Sequence, residues 1–258
     1  MRIAVCMKAV VDPQARIELD ADGRLRTDNL RYEVNEYDLY AVEEAIRLAE
    51  ATEGAVTVIG LGTTGTVQGL RKGLAMGAEA AIHVDCNGDD LDAHGTATLL
   101  AAALAVEEFD LVLAGVESDD VGASQVGVLV AEALGFASTT LVVGTSPSVD
   151  GSMSVRRELE SGDHARIEID LPAVLTIQSG INEPRYPSLK GIMAAKRKEL
   201  RVVTPDDLEV SEEALAPRVE TLELAPPPTR QRARIIGGAA AEAAVELVRI
   251  LRDEEKVL

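Results

Sequence analysis

A parallel, doubly wound α/β sheet, Rossmann-like, with an antiparallel section and a C-terminal extended arm is the fold class this sequence predicts. Three observations predict it. Short continuous apolar runs at 2–7, 55–61, 80–85 and 110–115 alternate with stretches of helical periodicity, the grammar of a parallel sheet covered on both faces. After Thr139 the helices stop and strand-like runs follow one another across hairpin turns. From about 206 the chain becomes an acidic, Pro-containing connector ending in a lone amphipathic stretch. These shifts divide it into a 1–205 α/β domain and a 206–258 arm.

Arg2 to Met7 reads as a first, central strand. Residues 16–32 read as a hairpin, Arg16 to Asp20 and Arg24 to Thr27 alternating about an Ala21-Asp22-Gly23 turn, at the edge of the main sheet. Asn35 with Asp38 in the next turn marks a helix start, and Leu39, Val42, Ile46 and Ala49 continue it as an amphipathic helix. A strand at 55–61 runs into Gly60-Leu-Gly-Thr-Thr-Gly65 and a helix at 66–76. A strand at 80–85 and an Ala/Leu helix at 91–107 come next, then a strand at 110–115, a Gly- and Asp-rich turn and a helix at 120–134. Strands at 139–145, 153–159, 164–170 and 173–178 form the antiparallel section. Pro226-Pro227-Pro228 holds the arm extended. A last helix at 239–252 aligns Ala241, Ala244, Val245, Val248 and Leu251 on one stripe, which a single helix on an extended arm cannot bury against itself.

Composition narrows the function classes. A net charge of −19 opposes nucleic acid and anionic membrane as partners. The acid excess, with Arg far outnumbering Lys, fits either a salt-adapted cytosol or simply an acidic protein from a GC-rich genome. No apolar run is long enough to span a bilayer, and Met1 leads into a strand pattern rather than a signal peptide, so a cytoplasmic location is expected. Cys6 and Cys86 sit on or beside strand-like runs as small hydrophobes. The three histidines make no metal-ligand spacing. With two Phe, four Tyr and no Trp, Ala, Val, Leu and Ile must fill the core.

The stretch 171–200 is the most distinctive. It starts as a buried strand, Ala173 to Ile177, breaks at Ser179-Gly180 and Asn182-Glu183-Pro184, displays Arg185 to Ile192 as a surface segment, and closes on Lys196-Arg197-Lys198. The run Leu-Pro-Ala-Val-x-Thr, then Asn-Glu-Pro-Arg-Tyr, a Leu three residues after the Tyr, Ile-Met and Ala-Lys-Arg-Lys resembles the signature of electron transfer flavoprotein β subunits. The similarity continues at lower density from Lys8 to the last helix. It implies an adenine nucleotide α-hydrolase-like variant of the predicted fold and an electron carrier subunit, not an enzyme, whose FAD is seated mainly in a partner α subunit. It also implies that the arm reaches around that subunit. The donors implied are acyl-CoA or other flavin dehydrogenases, and the acceptor an electron transfer flavoprotein–quinone oxidoreductase. Arg185, Tyr186, Leu189, Ile192 and Met193 then form the partner-recognition surface, with Leu189 as its anchor, and Glu158 faces the flavin domain of the α subunit. Pro13 stands where the family has a Tyr near the flavin.

Two glycine loops bear on nucleotide binding. Gly60 to Gly65 matches the dinucleotide fingerprint, with Asp85 at a strand end twenty residues on. Read literally it means an NAD-dependent dehydrogenase, but a strand, hairpin and helix precede it and no substrate domain with a recognisable catalytic residue follows. A purely structural tight turn is a second reading. A turn lining an adenine nucleotide pocket is the third, and the resemblance favours it. In the second loop, Gly115 to Gly127, the small residues Gly122, Ala123 and Ser124 are expected in the first turn of a helix, where free N–H groups favour phosphate. The resemblance adds Cys6 and Lys8, Asn35, Glu36, Tyr37 and Asp38, Leu61 and Gly62, and Gly115, Asp119, Asp120, Gln125 and Val126 to one crevice. AMP is the expected ligand there. A second FAD, as in electron-bifurcating members, is the alternative, and Val121-Gly122-Ala123 stands where those members have Gly-Asp-Thr. No catalytic pair or metal cluster emerges from the sequence.

Overall fold

The computed structural model describes the chain except residues 21–22, 28–29, 89–90, 148–149, 227 and 229–232. Nine strands form one sheet. In chain order its members are β1 (Arg2–Cys6), β4 (Ala55–Gly62), β5 (Ala80–Asp85), β6 (Leu111–Gly115), β7 (Ala137–Thr145), β8 (Ser152–Glu158), β9 (His164–Asp170), β10 (Ala173–Ile177) and β11 (Leu200–Val203). Across the sheet the order is β11-β5-β4-β1-β6-β10-β7-β8-β9, parallel up to β7 and antiparallel from β7 to β9. The short strands β2 (Ala9–Val11) and β3 (Tyr32–Val34) pair as a separate antiparallel ribbon.

The period-two alternation of the central strands sorts their side chains between two cores. Ile3 and Val5 face helices α1 (Glu36–Thr52) and α2 (Thr64–Met76), while Ala4 and Cys6 face α3 (Ala93–Leu104) and α4 (Val126–Leu134). β6 and β10 divide likewise, Leu111 and Leu113 to one core, Val112 and Ala114 to the other. Both faces are therefore sealed, which is why these strands read as unbroken apolar runs.

The topology confirms the doubly wound class and relocates several expected elements. The 16–32 hairpin is not an edge of the main sheet. Its described part carries one isolated bridge, Leu19 to Leu25, and the residues that bracket it form the β2–β3 ribbon; Ala21 and Asp22 of its turn lie outside the described residues. The expected helix 120–134 begins only at Val126, because Gly122 (φ 62°) and Ser124 (φ 54°) are left-handed and cannot continue a right-handed helix. The strand expected last in the antiparallel section is β10, returning to the parallel core between β6 and β7. Besides β2 and β3, two elements were not anticipated, helix α5 (Leu189–Ala195), capped by Ser188 Oγ accepting from Gly191 N at 3.0 Å, and the edge strand β11.

The arm has little regular structure. Its Pro227 lies outside the described residues, and Leu222 and Leu224 are exposed. Helix α6 (Ala240–Arg249) closes with a wide turn at 250–254. Arg234 and Arg249 tie it through Glu246 and Glu254. Ala241, Ala244, Val245 and Val248 stay exposed, and only Ile250 is buried. No described helix is long and apolar enough to cross a membrane.

Candidate functional site

Strand order reverses direction between β1 and β6. The chain winds from β1 through β4 to β5, then returns to place β6 on the other side of β1. Ligand crevices form at such a reversal, beyond the carboxyl ends of the strands. Asp38 closes its floor. Oδ2 accepts from Lys8 N at 2.7 Å, and Oδ1 accepts from Asn35 Nδ2 at 3.0 Å and Gly115 N at 3.1 Å. One carboxylate thus joins the ends of β1 and β6 to the start of α1. Burial pushes its carboxyl from 3.8 up to about 7, against the pull of the Lys8, Asn35 and Gly115 donors. Beneath it, burial and then the Asp38 charge push the Cys6 thiol up to about 12, so this cysteine is an inert packing residue. Gly115 is required, since a Cβ there would run into Asp38 Oδ1 and Tyr37.

Asn35 occupies the expected N-cap position but does not cap the helix. Its side chain instead holds the next loop, donating to Glu117 O at 2.8 Å and accepting from Asp119 N at 3.0 Å. Asp119 in turn accepts from Glu36 N. Lys8 Nζ reaches across to Asp120 at 2.6 Å and Ser118 at 3.3 Å. Burial works against the Asp120 carboxylate, yet the hydrogen bonds from Lys8 and Ser118 and the Lys8 charge hold it below the usual range. Glu117 accepts from Tyr37 Oη and Ser124 Oγ. Burial, then the hydrogen bond to Glu117, raise the Tyr37 phenol. The loop's carboxylates are therefore all engaged by protein donors.

The backbone beyond them is not. The N–H groups of Ala123 to Val128, all described, donate to no protein acceptor. Gly122 and Ser124 lie outside the first helical turn and take positive φ angles, and the N–H groups after them lead into the N-terminus of α4. Free N–H groups at a helix N-terminus favour an anionic partner. Gln125 and Val126 form its helical edge, and Leu61 and Gly62 end β4, the strand beside β1. So Cys6, Lys8, Asn35 to Asp38, Gly115 and 119–126 converge, with Leu61 and Gly62 one strand away. The glycine run 60–65 has local roles as well. A Cβ on Gly60 would lie 2.7 Å from Met7 O, and Gly62 O lies 2.8 Å from Nε2 of the buried His83 ring.

The comparisons with known proteins identify the family. Residues 23–208 match the electron transfer flavoprotein domain. The chain is 36% identical to the electron transfer flavoprotein subunit beta of Bacillus subtilis over the full length of both. It is 33% identical to the subunit beta of Methylophilus methylotrophus over 98% of each chain, and 33% identical to the mitochondrial subunit beta of Arabidopsis thaliana over the full length of both. The chain belongs to the electron transfer flavoprotein β-subunit family. The resemblance carried by 171–200 is thus confirmed, and with it the roles of electron transport component and flavoprotein subunit.

In this β-subunit family member the expected recognition residues separate into two groups. Tyr186 is 96% exposed and Leu189 77%, with Ile192 and Met193 beside them on α5. Arg185 instead turns inward. It forms a fork with Glu43 (Nε to Oε2, 2.8 Å) and reaches Glu50 (Nη1 to Oε1, 2.7 Å), both on α1. Glu158, at the end of β8, accepts from Gln178 Nε2 at 3.0 Å. Sequence reading missed Glu117, Glu43, Glu44 and Asn182. A signal existed for Glu43, which follows Leu39 by four residues and precedes Ile46 by three, placing an acid on the apolar stripe. It is 5% exposed.

Proposed function

We propose that this chain works with an electron transfer flavoprotein α subunit as a cytoplasmic electron carrier. Electrons pass from acyl-CoA dehydrogenases, or other flavin dehydrogenases, towards a quinone oxidoreductase. FAD, held mainly by the α subunit, supplies the redox chemistry. The chain's own residues bind, orient and dock. The 206–258 arm lays the exposed stripe of α6 on the α subunit, Glu158 faces the flavin domain, and Leu189 anchors the dehydrogenase.

In the switch crevice we place AMP. The observation that carries this is the run of unengaged N–H groups from Ala123 to Val128 in a loop whose carboxylates are already occupied by Lys8, Tyr37, Ser124 and the Glu36 N–H. A phosphate supplies the acceptors that this run lacks without meeting a free carboxylate. Lys8, whose ammonium pairs with Asp120, offsets one of the loop's negative charges. The NAD-dependent reading loses its support, since Gly60 is needed for the approach of the Met7 carbonyl whether or not a dinucleotide binds. A second FAD in the same crevice is the bifurcating alternative.

Co-expression with the α subunit tests the role. The purified pair should carry flavin absorbance that is bleached on mixing with an acyl-CoA dehydrogenase reduced by its substrate. A β chain that forms no complex with the α subunit, or a complex without flavin, contradicts it.

A further inference from the structure

Between β10 and α5 the chain crosses 178–188 without a backbone ladder. Gln178 N still donates to Val142 O and a turn follows at 179–180, but from Ile181 to Pro187 the backbone runs without strand or helix. Two side chains tie this crossing to α1. Asn182 Nδ2 donates to Tyr40 O and Glu44 Oε2, each at 3.0 Å. Arg185 gives its main-chain N, Nε and Nη2 to the Glu43 carboxylate at 3.0, 2.8 and 3.0 Å, and Nη1 and Nη2 to Glu50 at 2.7 and 3.3 Å. Glu43 and Glu50 stand two helical turns apart, so the guanidinium spans them along the helix.

The electrostatics match the geometry. Hydrogen bonds to Glu50 and then Glu43 raise the Arg185 guanidinium, and Arg185 holds the Glu50 carboxyl below its ordinary value. Glu43 is buried and has no route to a partner protein. The next side chain along, Tyr186, is almost fully exposed, and Leu189 follows one turn later.

We propose that Arg185 is a positioning residue: with Glu43 and Glu50 it fixes the 179–188 crossing on α1 and so presents Tyr186 and Leu189 in a docking-ready conformation, without touching the dehydrogenase itself. This rests on the docking role proposed for Leu189. A bidentate Arg–carboxylate pair is directional enough to do this, whereas a Lys at 185 offers a point charge without the fork. Ordering the segment before encounter removes an entropic cost from binding.

The test uses the flavin-loaded αβ complex as the oxidant of an acyl-CoA dehydrogenase, with KM and kcat measured separately. Glu43→Gln breaks the fork from its buried side and keeps the shape of the side chain. Arg185→Met combined with Glu43→Gln removes the pair without stranding a buried charge. Both should raise KM about tenfold, the equivalent of freeing roughly one backbone residue, with kcat and flavin content unchanged. Tryptic cleavage after Lys190 should speed up severalfold in the free complex. Added to Leu189→Ala, Glu43→Gln should raise KM by well under its own tenfold, because much of its effect passes through Leu189.

A rise in KM for Arg185→Met/Glu43→Gln with Glu43→Gln alone silent would mean that Arg185 meets the dehydrogenase directly, and overturns the proposal. Additive effects of Glu43→Gln and Leu189→Ala overturn it too. A Leu189→Ala complex with unchanged KM would remove the docking role itself and the positioning role with it. That result is distinct from a silent Glu43→Gln beside an effective Leu189→Ala.

Discussion

Leu189→Ala is the substitution whose consequences for stability and for docking are furthest apart. The side chain is 77% exposed at the first position of α5, so little of its apolar surface contributes to folding. Fully burying a leucine is worth about 1.5–3 kcal/mol. Scaled by the exposed fraction, docking gains roughly 1.2–2.3 kcal/mol from this residue, or about 7- to 50-fold in affinity. Folding loses only what remains, below about 1 kcal/mol, and alanine's higher helix propensity offsets none of it at the N-terminus of so short a helix. The assay is the KM of the αβ complex for reduced acyl-CoA dehydrogenase, with thermal unfolding followed in parallel. KM should rise about 7- to 50-fold while flavin content holds and the melting temperature moves by no more than a degree or two. A stability loss of several kcal/mol would show that Leu189 is a core residue, and unchanged KM at unchanged stability would put the docking surface elsewhere.

Three further outcomes are expected. Asp38 keeps its proton to about pH 7 when folded, against an ordinary 3.8, so the folded chain binds more protons in that window and its stability falls as pH rises from about 4 to 7. Asp38→Asn should flatten that fall, by an amount on the order of 4 kcal/mol across the window, and parallel pH profiles of denaturant midpoints would rule the effect out. Gly122→Val forces a β-branched residue to φ 62° and disrupts the 122–126 loop, so the purified complex should lose its adenine nucleotide; full retention would move the phosphate site away from this loop. With a net charge of −19, thermal stability should climb from low to molar KCl as screening relieves repulsion among the carboxylates, and a flat or falling curve would remove the case for salt adaptation.

The sheet was legible in the sequence because its central strands are sealed on both sides. Residues such as Ile3 to Cys6 and Leu111 to Ala114 can only be apolar there, and the runs between turns leave few alternatives. The crevice was legible in part. From the residues alone the Gly60 to Gly65 and Gly122 to Ser124 loops stood out, and the resemblance supplied Cys6, Lys8, Asn35 to Asp38 and Gly115. What stayed hidden was long-range partnering. Nothing local tells that Asn35 would forgo its helix cap for Glu117 and Asp119, more than eighty residues away, or that Arg185 would turn to Glu43 rather than to solvent. The start of α4 was misplaced because composition favours a helix from Asp120, whereas Gly122 and Ser124 take positive φ and the Ser124–Glu117 hydrogen bond closes the loop on itself. Helix α5 was missed because Pro187-Ser188 reads as a turn, although the same Ser is its cap.

The most direct test is a count of the ligands released when the purified αβ complex is denatured. Chromatography of the supernatant should give one FAD and one AMP per complex, with the AMP lost in the Gly122→Val complex and the FAD retained. Two FAD and no AMP would assign the crevice to a second flavin, and NAD, or no adenine nucleotide beyond the one FAD, would contradict AMP as the ligand of the switch crevice.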